Sequence, residues 1–171
     1  MLTELTREDY GRVRALFEGH AQYVPALTVL EGRFPGRVFV DRVDSPTTAI
    51  VWALSRWAYA EGDPGALRPL EDFRSFLRNT VIPASRELEQ DWFELYLPDD
   101  PVWSGVVGEA FGLFKNDHHR ETTFTLDEDA FRRNRQEVSL PEGTKIERAE
   151  VPVLPVRARR LPSIAEEFGA L

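Results

Sequence analysis

The stretch Thr48 to Leu54 (Thr-Ala-Ile-Val-Trp-Ala-Leu) constrains the fold more than any other part of this chain, because past its first residue it is apolar on both faces. A strand with one wet face alternates apolar and polar residues, so a run like this one belongs inside a sheet that is covered on both sides. Just upstream, Arg37 to Val43 carries Val38, Phe39 and Val40 and has strand composition. Asp44-Ser45-Pro46-Thr47 lies between the two and supplies residues that favour a turn. The two runs are predicted to pair as a hairpin, with Thr48 to Leu54 as a central strand.

Helical and strand patterns alternate on either side. Thr6 is placed to cap a first helix, with Asp9 three residues on and Leu5 and Tyr10 as a hydrophobic staple. Tyr10, Val13, Phe17 and Val24 continue at helical spacing, and Gly19 is a place for the first regular stretch to end. After the turn cluster Glu61 to Gly65, the residues Leu70, Phe73, Phe76, Leu77 and Val81 predict a helix ending near Pro83. Trp92 to Leu97 reads as a strand. Asp100 before Pro101 then caps a helix whose buried side is predicted to hold Val102, Val106, Val107, Ala110 and Phe114. Thr122 to Leu126 reads as a strand, Asp129 to Gln136 as a short helix, and Lys145 to Val151 as a weaker strand after the Pro141-Glu142-Gly143 turn.

The pattern predicts an α/β (α+β) fold, a mixed and mostly antiparallel sheet flanked by helices, over residues 1–151. Residues 152–171 are expected to form a Pro/Arg-rich strap and a short terminal helix that begins near Ser163 and Glu166. Within that segment, Pro152-x-x-Pro155-x-Arg157 matches a proline-rich ligand, but a strap explains the same prolines.

Composition narrows the function classes. The 171 residues include no cysteine, which removes thiol catalysis, thiolate metal sites and iron–sulfur chemistry. A formal net charge of −8, with acidic residues spread along the chain, makes nucleic acid a poor partner. The basic cluster Arg157, Arg159 and Arg160 reads as a solvated tail. No apolar run is long enough to span a bilayer, and the amino terminus lacks the pattern of a secretory signal, so no membrane partner and a cytoplasmic location are expected.

Three local passages carry a resemblance. Gly32-Arg-Phe-Pro-Gly-Arg-Val-Phe-Val-Asp41, Ser45-Pro-Thr-Thr-Ala-Ile-Val-Trp52 and Tyr59-Ala-Glu-Gly-Asp63 resemble the amino-terminal half of the bacterial GNAT acetyltransferase family that includes zwittermicin A resistance acetyltransferases. His119-Arg-Glu-Thr-Thr-Phe124 followed by Ser139-Leu-Pro-Glu-Gly143 looks like the passage by which such proteins cross toward their acetyl-CoA-binding half. The resemblance covers roughly residues 1–150. It implies a GNAT-like fold in which the carboxy-terminal half that holds acetyl-CoA is missing. It also implies a cofactor loop of the form Arg/Gln-x-x-Gly-x-Gly/Ala opening a helix, and the sequence contains no such run. The nearest positional analogue, Glu61-Gly-Asp-Pro-Gly-Ala66, holds two carboxylates, and its Pro64 has no N–H, so a plain turn is the better reading.

GNAT chemistry needs a base for the acceptor amine and a proton donor for the leaving thiolate. Glu94 and Tyr96, at alternate positions of one strand, share a face and are the candidates for that pair; Trp92 is expected on the same face. Trp52, Trp57 and Tyr59, with Trp92, are candidates to line an apolar ligand pocket, against the plainer reading of core packing. Asp117-His118-His119 invites a metal, but adjacent histidines on a strand point to opposite faces, and no metal site is expected.

The leading expectation is a GNAT-related module without its own catalysis that binds or scaffolds, pairs with itself or with a partner protein, and takes no cofactor. A compact N-acetyltransferase using acetyl-CoA on a divergent loop is the alternative, and a protein that sequesters a small molecule is the third reading.

Overall fold

The protein is described from a computed structural model, which covers residues 2–53, 56–87, 89, 92–112, 117–135 and 139–146. Among these residues the strands are β1 (Thr3–Glu4), β2 (Gly36–Val40), β3 (Thr48–Ala53), β4 (Trp57–Gly62) and β5 (Glu94–Tyr96). The α-helices are α1 (Arg14–Phe17), α2 (Val24–Leu30), α3 (Leu70–Phe76), α4 (Ile82–Glu87), α5 (Pro101–Phe111) and α6 (Glu128–Asn134). The strands form one sheet in the order β1-β2-β3-β4-β5. The pairs among the first four strands are all antiparallel, and β5 runs parallel to β4. A parallel neighbour needs a crossover, and α3 and α4 provide it.

β3 is the middle strand, and its six residues are all buried. Ala49, Val51 and Ala53 enter a layer closed by Tyr10, Val13, Phe17, Tyr23 and Val29 from the amino-terminal helices. Ile50 and Trp52 enter the opposite layer, beneath Phe73, Phe76, Trp103 and Val107 of α3 and α5. The period-two alternation of the strand thus divides one apolar run between two cores, which is why no polar side chain follows Thr48 in it.

The predicted hairpin is present, with Gly36↔Ala53 through Val40↔Ala49 in register. β2 stops at Val40 rather than Val43, because Asp41 turns its carboxylate onto the incoming strand. Its Oδ1 accepts from the Thr47 and Thr48 amides at 2.9 and 3.0 Å, and its Oδ2 accepts from the Thr47 hydroxyl at 2.8 Å. Next to this turn, the Thr48 hydroxyl donates to the Asp63 carbonyl and the Asp63 amide donates to the Thr47 carbonyl, tying the end of β4 to the start of β3. Gly62 lies at the crossing with φ +105°, and a Cβ there would come within 2.0 Å of the Thr47 carbonyl oxygen. Only glycine satisfies both constraints.

Several elements depart from the sequence reading for identifiable reasons. Arg7–Val13 is a 3-10 helix rather than an α-helix. The Thr6 hydroxyl donates to Asp9 instead of capping, and Arg12 holds the Asp9 carboxylate at 2.7 Å. Leu5 and Tyr10 are nonetheless both buried. The helix beginning at Leu70 does not end at Pro83. It passes through a π-helical turn, Leu77–Val81, where the Ile82 amide bonds the Leu77 carbonyl, and continues as α4. Widening the helix just before a proline relieves the clash between its ring and the preceding turn. On α5, Trp103 rather than Val102 faces the core; Val102 is exposed, and Phe114 lies outside the described residues. Thr122 to Leu126 has no ladder partner among the described residues and is exposed, as are Lys145 and Ile146. The rest of the predicted Lys145 to Val151 strand, and the strap and terminal helix at 152–171, lie outside the described residues. β1 has no counterpart in the sequence reading, and β4 is not separated there from the strand before it.

Burial works to raise the Asp41 pKa, but the bonds from Thr48 and Thr47 and the charge of Arg42 outweigh it and hold the carboxyl below its usual range. Its contribution to stability is therefore complete above about pH 4 and fades as the pH falls below that value. Asp41→Ala, which strands the Thr47 and Thr48 amides, is expected to cost about 1–3 kcal/mol at pH 7 in urea denaturation. Asp41→Asn should flatten the acid limb of the stability profile, and an unchanged profile would contradict this account of the turn.

Candidate functional site

The parallel pair β4 and β5 places a column of polar and aromatic side chains on one face of the sheet. In register, Trp57 is opposite Glu94 and Tyr59 is opposite Tyr96, with Glu61 one step further along β4. Parallel strands align side chains of equal height, and the Tyr59 and Tyr96 rings stack at 5.0 Å between centroids and 14° between planes. The Tyr96 hydroxyl donates to Glu94 Oε2 at 2.8 Å, and Glu121 Oε1 lies 3.5 Å from the same hydroxyl. His119 Nε2 lies 3.2 Å from the same Glu121 oxygen.

Tyr23, from the 3-10 turn Ala21–Tyr23, reaches down from the amino-terminal layer. Its hydroxyl donates to Glu61 Oε2 at 2.6 Å, and its ring meets Tyr59 edge-on at 6.3 Å. Tyrosine can serve both needs here because the ring fills the core while the hydroxyl reaches the polar margin.

Burial acts on all three phenols in the same direction. It raises the Tyr59 pKa to about 12, assisted by the charges of Glu94 and Glu121. It also raises Tyr96, with the Glu94 hydrogen bond adding to it, and Tyr23, with Glu61 adding to it. The phenols are neutral donors at physiological pH, and carboxylates accept from Tyr23 and Tyr96. The arrangement can hold or deliver a proton, or present stacked rings and acceptors to a ligand.

The structure brings Glu94 and Tyr96 into direct contact, but Trp92 precedes β5 and packs elsewhere. It is 45% exposed and lies against the Arg56 guanidinium at 3.9 Å, with Trp57 at 5.2 Å from the same group. The four aromatic residues named for a pocket do not share one. Trp52 is 1% exposed and packs in the layer under α3 and α5, while Tyr59 and Trp57 belong to the opposite layer. They do not lie along one extended stretch: β3 and β4 form a hairpin in which Trp52 pairs with Ala58. That pairing sends Trp52 and Tyr59 to opposite faces.

The Glu61 to Ala66 turn uses its polar groups internally. The Asp63 carboxylate accepts from the Gly65 amide at 2.8 Å, the Ala66 amide donates to the Asp63 carbonyl at 3.1 Å, and Glu61 accepts from the Gly62 amide at 3.0 Å. Nearby, a hollow of about 40 Å3 bordered by Asp41, Arg68 and Asp72 has room for a few waters. Among the described residues, no three side chains of ligand type gather as a metal site, and no helix is long and apolar enough to cross a membrane.

Tyr23 and Glu121 belong to the cluster without having been singled out from the sequence. Tyr23 meets Glu61 across 38 residues, a contact no local pattern announces. Glu121 could have been suspected only from its place beside His119.

The remaining tyrosine, Tyr10, is also buried and raised by that burial, with Glu4 adding to it. An ultraviolet titration of the folded protein is therefore expected to show less than half of its tyrosines ionised at pH 10. The native state retains protons that the unfolded chain loses near pH 10, so stability should fall as the pH rises above that value. Half-ionisation at pH 10 with the fold intact would contradict the burial of these phenols.

No family model matches the chain, and no curated protein matches it.

Proposed function

We propose that the chain is a relative of the amino-terminal half of the GNAT acetyltransferase family that acts as a binding or scaffolding module, without transferring an acetyl group itself. A second copy or a partner protein covers its exposed face. One observation carries the non-catalytic part of this reading. In the turn between β4 and α3, the nearest positional analogue of a cofactor loop, the Gly65 and Ala66 amides are bonded to Asp63, and Pro64 has none. Glu61 and Asp63 add two negative charges there. A pyrophosphate needs free amides and a positive potential, and this turn supplies neither.

A compact acetyl-CoA-dependent N-acetyltransferase remains the second reading, favoured by the Glu94 and Tyr96 contact. There the carboxylate would act as base toward an amine, and the phenol would protonate a thiolate. In the third reading, sequestration of a small molecule, the same tyrosine column would be the binding surface.

Isothermal titration of the purified chain with acetyl-CoA separates the first two. No saturable heat is expected up to about millimolar ligand. One-to-one binding in the micromolar range would overturn the non-catalytic reading and make Glu94→Gln and Tyr96→Phe the next variants to assay.

A further inference from the structure

Two features of this chain are each incomplete and are complementary. The first is the outer edge of the sheet. β5 is three residues long, is half-buried, and among the described residues is paired on one side only, with β4. An open edge of this kind offers amides and carbonyls to any extended segment.

The second is the segment that follows. Thr122-Thr-Phe-Thr-Leu126 has β-branched and aromatic composition, with Phe124 and Leu126 on one side of an extended chain. It pairs with no described strand, and Phe124 is 85% and Leu126 68% exposed. Two exposed apolar side chains at strand spacing, beside an open sheet edge, offer a surface that strand pairing would bury. Arg120 meets Asp99 at 2.9 Å and Glu121 meets Tyr96, which tether the segment beside β5 without joining its ladder.

The helix that follows indicates the occupant. α6 has seven residues and buries none of them, with Phe131 54% exposed. A helix this short is marginal alone in water. Its first turn carries Glu128 and Asp129 and its last turn Arg132 and Arg133; Arg132 bonds Glu128 within the helix at 2.7 Å, and all four side chains remain on its exposed surface. Two such helices related by a two-fold axis across them run antiparallel and set acidic ends against basic ends. That self-complementarity favours a second copy over an unlike partner.

We propose that Thr122–Leu126 of one copy adds as a strand to the open edge of β5 in a second copy, reciprocally, so that the chain forms a strand-exchanged homodimer. This rests on the reading above that an exposed face is covered, and it names the face and the segment. The exchange completes the sheet edge and removes Phe124 and Leu126 from water. Each copy carries a net charge of −8, so long-range repulsion between copies opposes association and the apolar contacts buried by the exchange must outweigh it.

Sedimentation equilibrium of the full chain over a concentration series tests the proposal, with and without the double substitution Phe124→Asp and Leu126→Asp. Both residues are exposed in the single chain, so the fold should survive, which circular dichroism checks. The wild type is expected to be a dimer, and the double variant to dissociate at least about tenfold more readily. A wild-type dimer that the substitutions leave unchanged would overturn this interface while leaving the binding-module reading in place. A wild-type monomer would overturn the exchange. The acetyl-CoA titration tests the non-catalytic reading separately.

Because the chain has no cysteine, a cross-link adds a second readout. Glu94→Cys and Thr123→Cys chains, purified separately and mixed, should be joined by a short bismaleimide into a mixed pair. A chain carrying both substitutions that yields only an internal link would place the segment on its own β5 and overturn the exchange.

Discussion

The structure depends on a polar junction at one end of β3. Asp41 accepts from the Thr47 and Thr48 amides, Thr48 donates to the Asp63 carbonyl, and Asp63 donates to the Thr47 carbonyl. The Gly62 carbonyl accepts from the Trp103 indole at 3.2 Å. Four segments, two of them adjoining one turn, are held at one point, and the Asp41, Thr48 and Asp63 groups there all have partners. A buried group that lost its partner would cost as much as a well-packed methyl group, so the junction fixes the register of β2, β3 and β4 together. Thr48, fully buried, is the one polar residue of an otherwise apolar strand because it makes this tie.

This junction also changes what the family-like motifs mean. Asp41, the Thr47-Thr48 pair and Glu61-Gly62-Asp63 are among the residues that carry the resemblance, and nearly all of them serve the two turns. Gly62 is needed for the close approach to Thr47, and Asp63 is committed to Gly65, Ala66 and Thr48. The same motifs can therefore persist in a chain that binds no cofactor. The tyrosine column lies along the same sheet, and its position follows from the parallel pairing of β4 and β5, which sets Tyr59 beside Tyr96.

Much of the fold was legible where local physics decided it. A run apolar on both faces identified the central strand, and the Asp44–Thr47 turn identified its hairpin partner. Asp100 followed by Pro101 identified the start of α5, where the Asp100 carboxylate accepts from the Val102 amide at 2.8 Å. What escaped the sequence was set by tertiary contact. β4 is only modestly apolar and becomes a strand because β3 offers it an edge, and β1 is two residues long. Pro83 is a helix stop in isolation, but here the packing of Leu77 and Val81 carries the helix past it through a wider turn. In the candidate site, the contact between Glu94 and Tyr96 followed from their alternate positions. The division of Trp52 from Trp57 and Tyr59 depended on a chain reversal that aromatic spacing alone does not reveal.

The most direct test of the junction is the stability of Thr48→Val, a substitution of nearly equal volume that replaces the hydroxyl with a methyl group. Guanidinium denaturation at pH 7 is predicted to show a loss of about 1–2 kcal/mol with an unchanged m-value. A stability within about 0.5 kcal/mol of the wild type, the range of an ordinary surface change, would mean that the tie between Thr48 and Asp63 does not hold the two turns together.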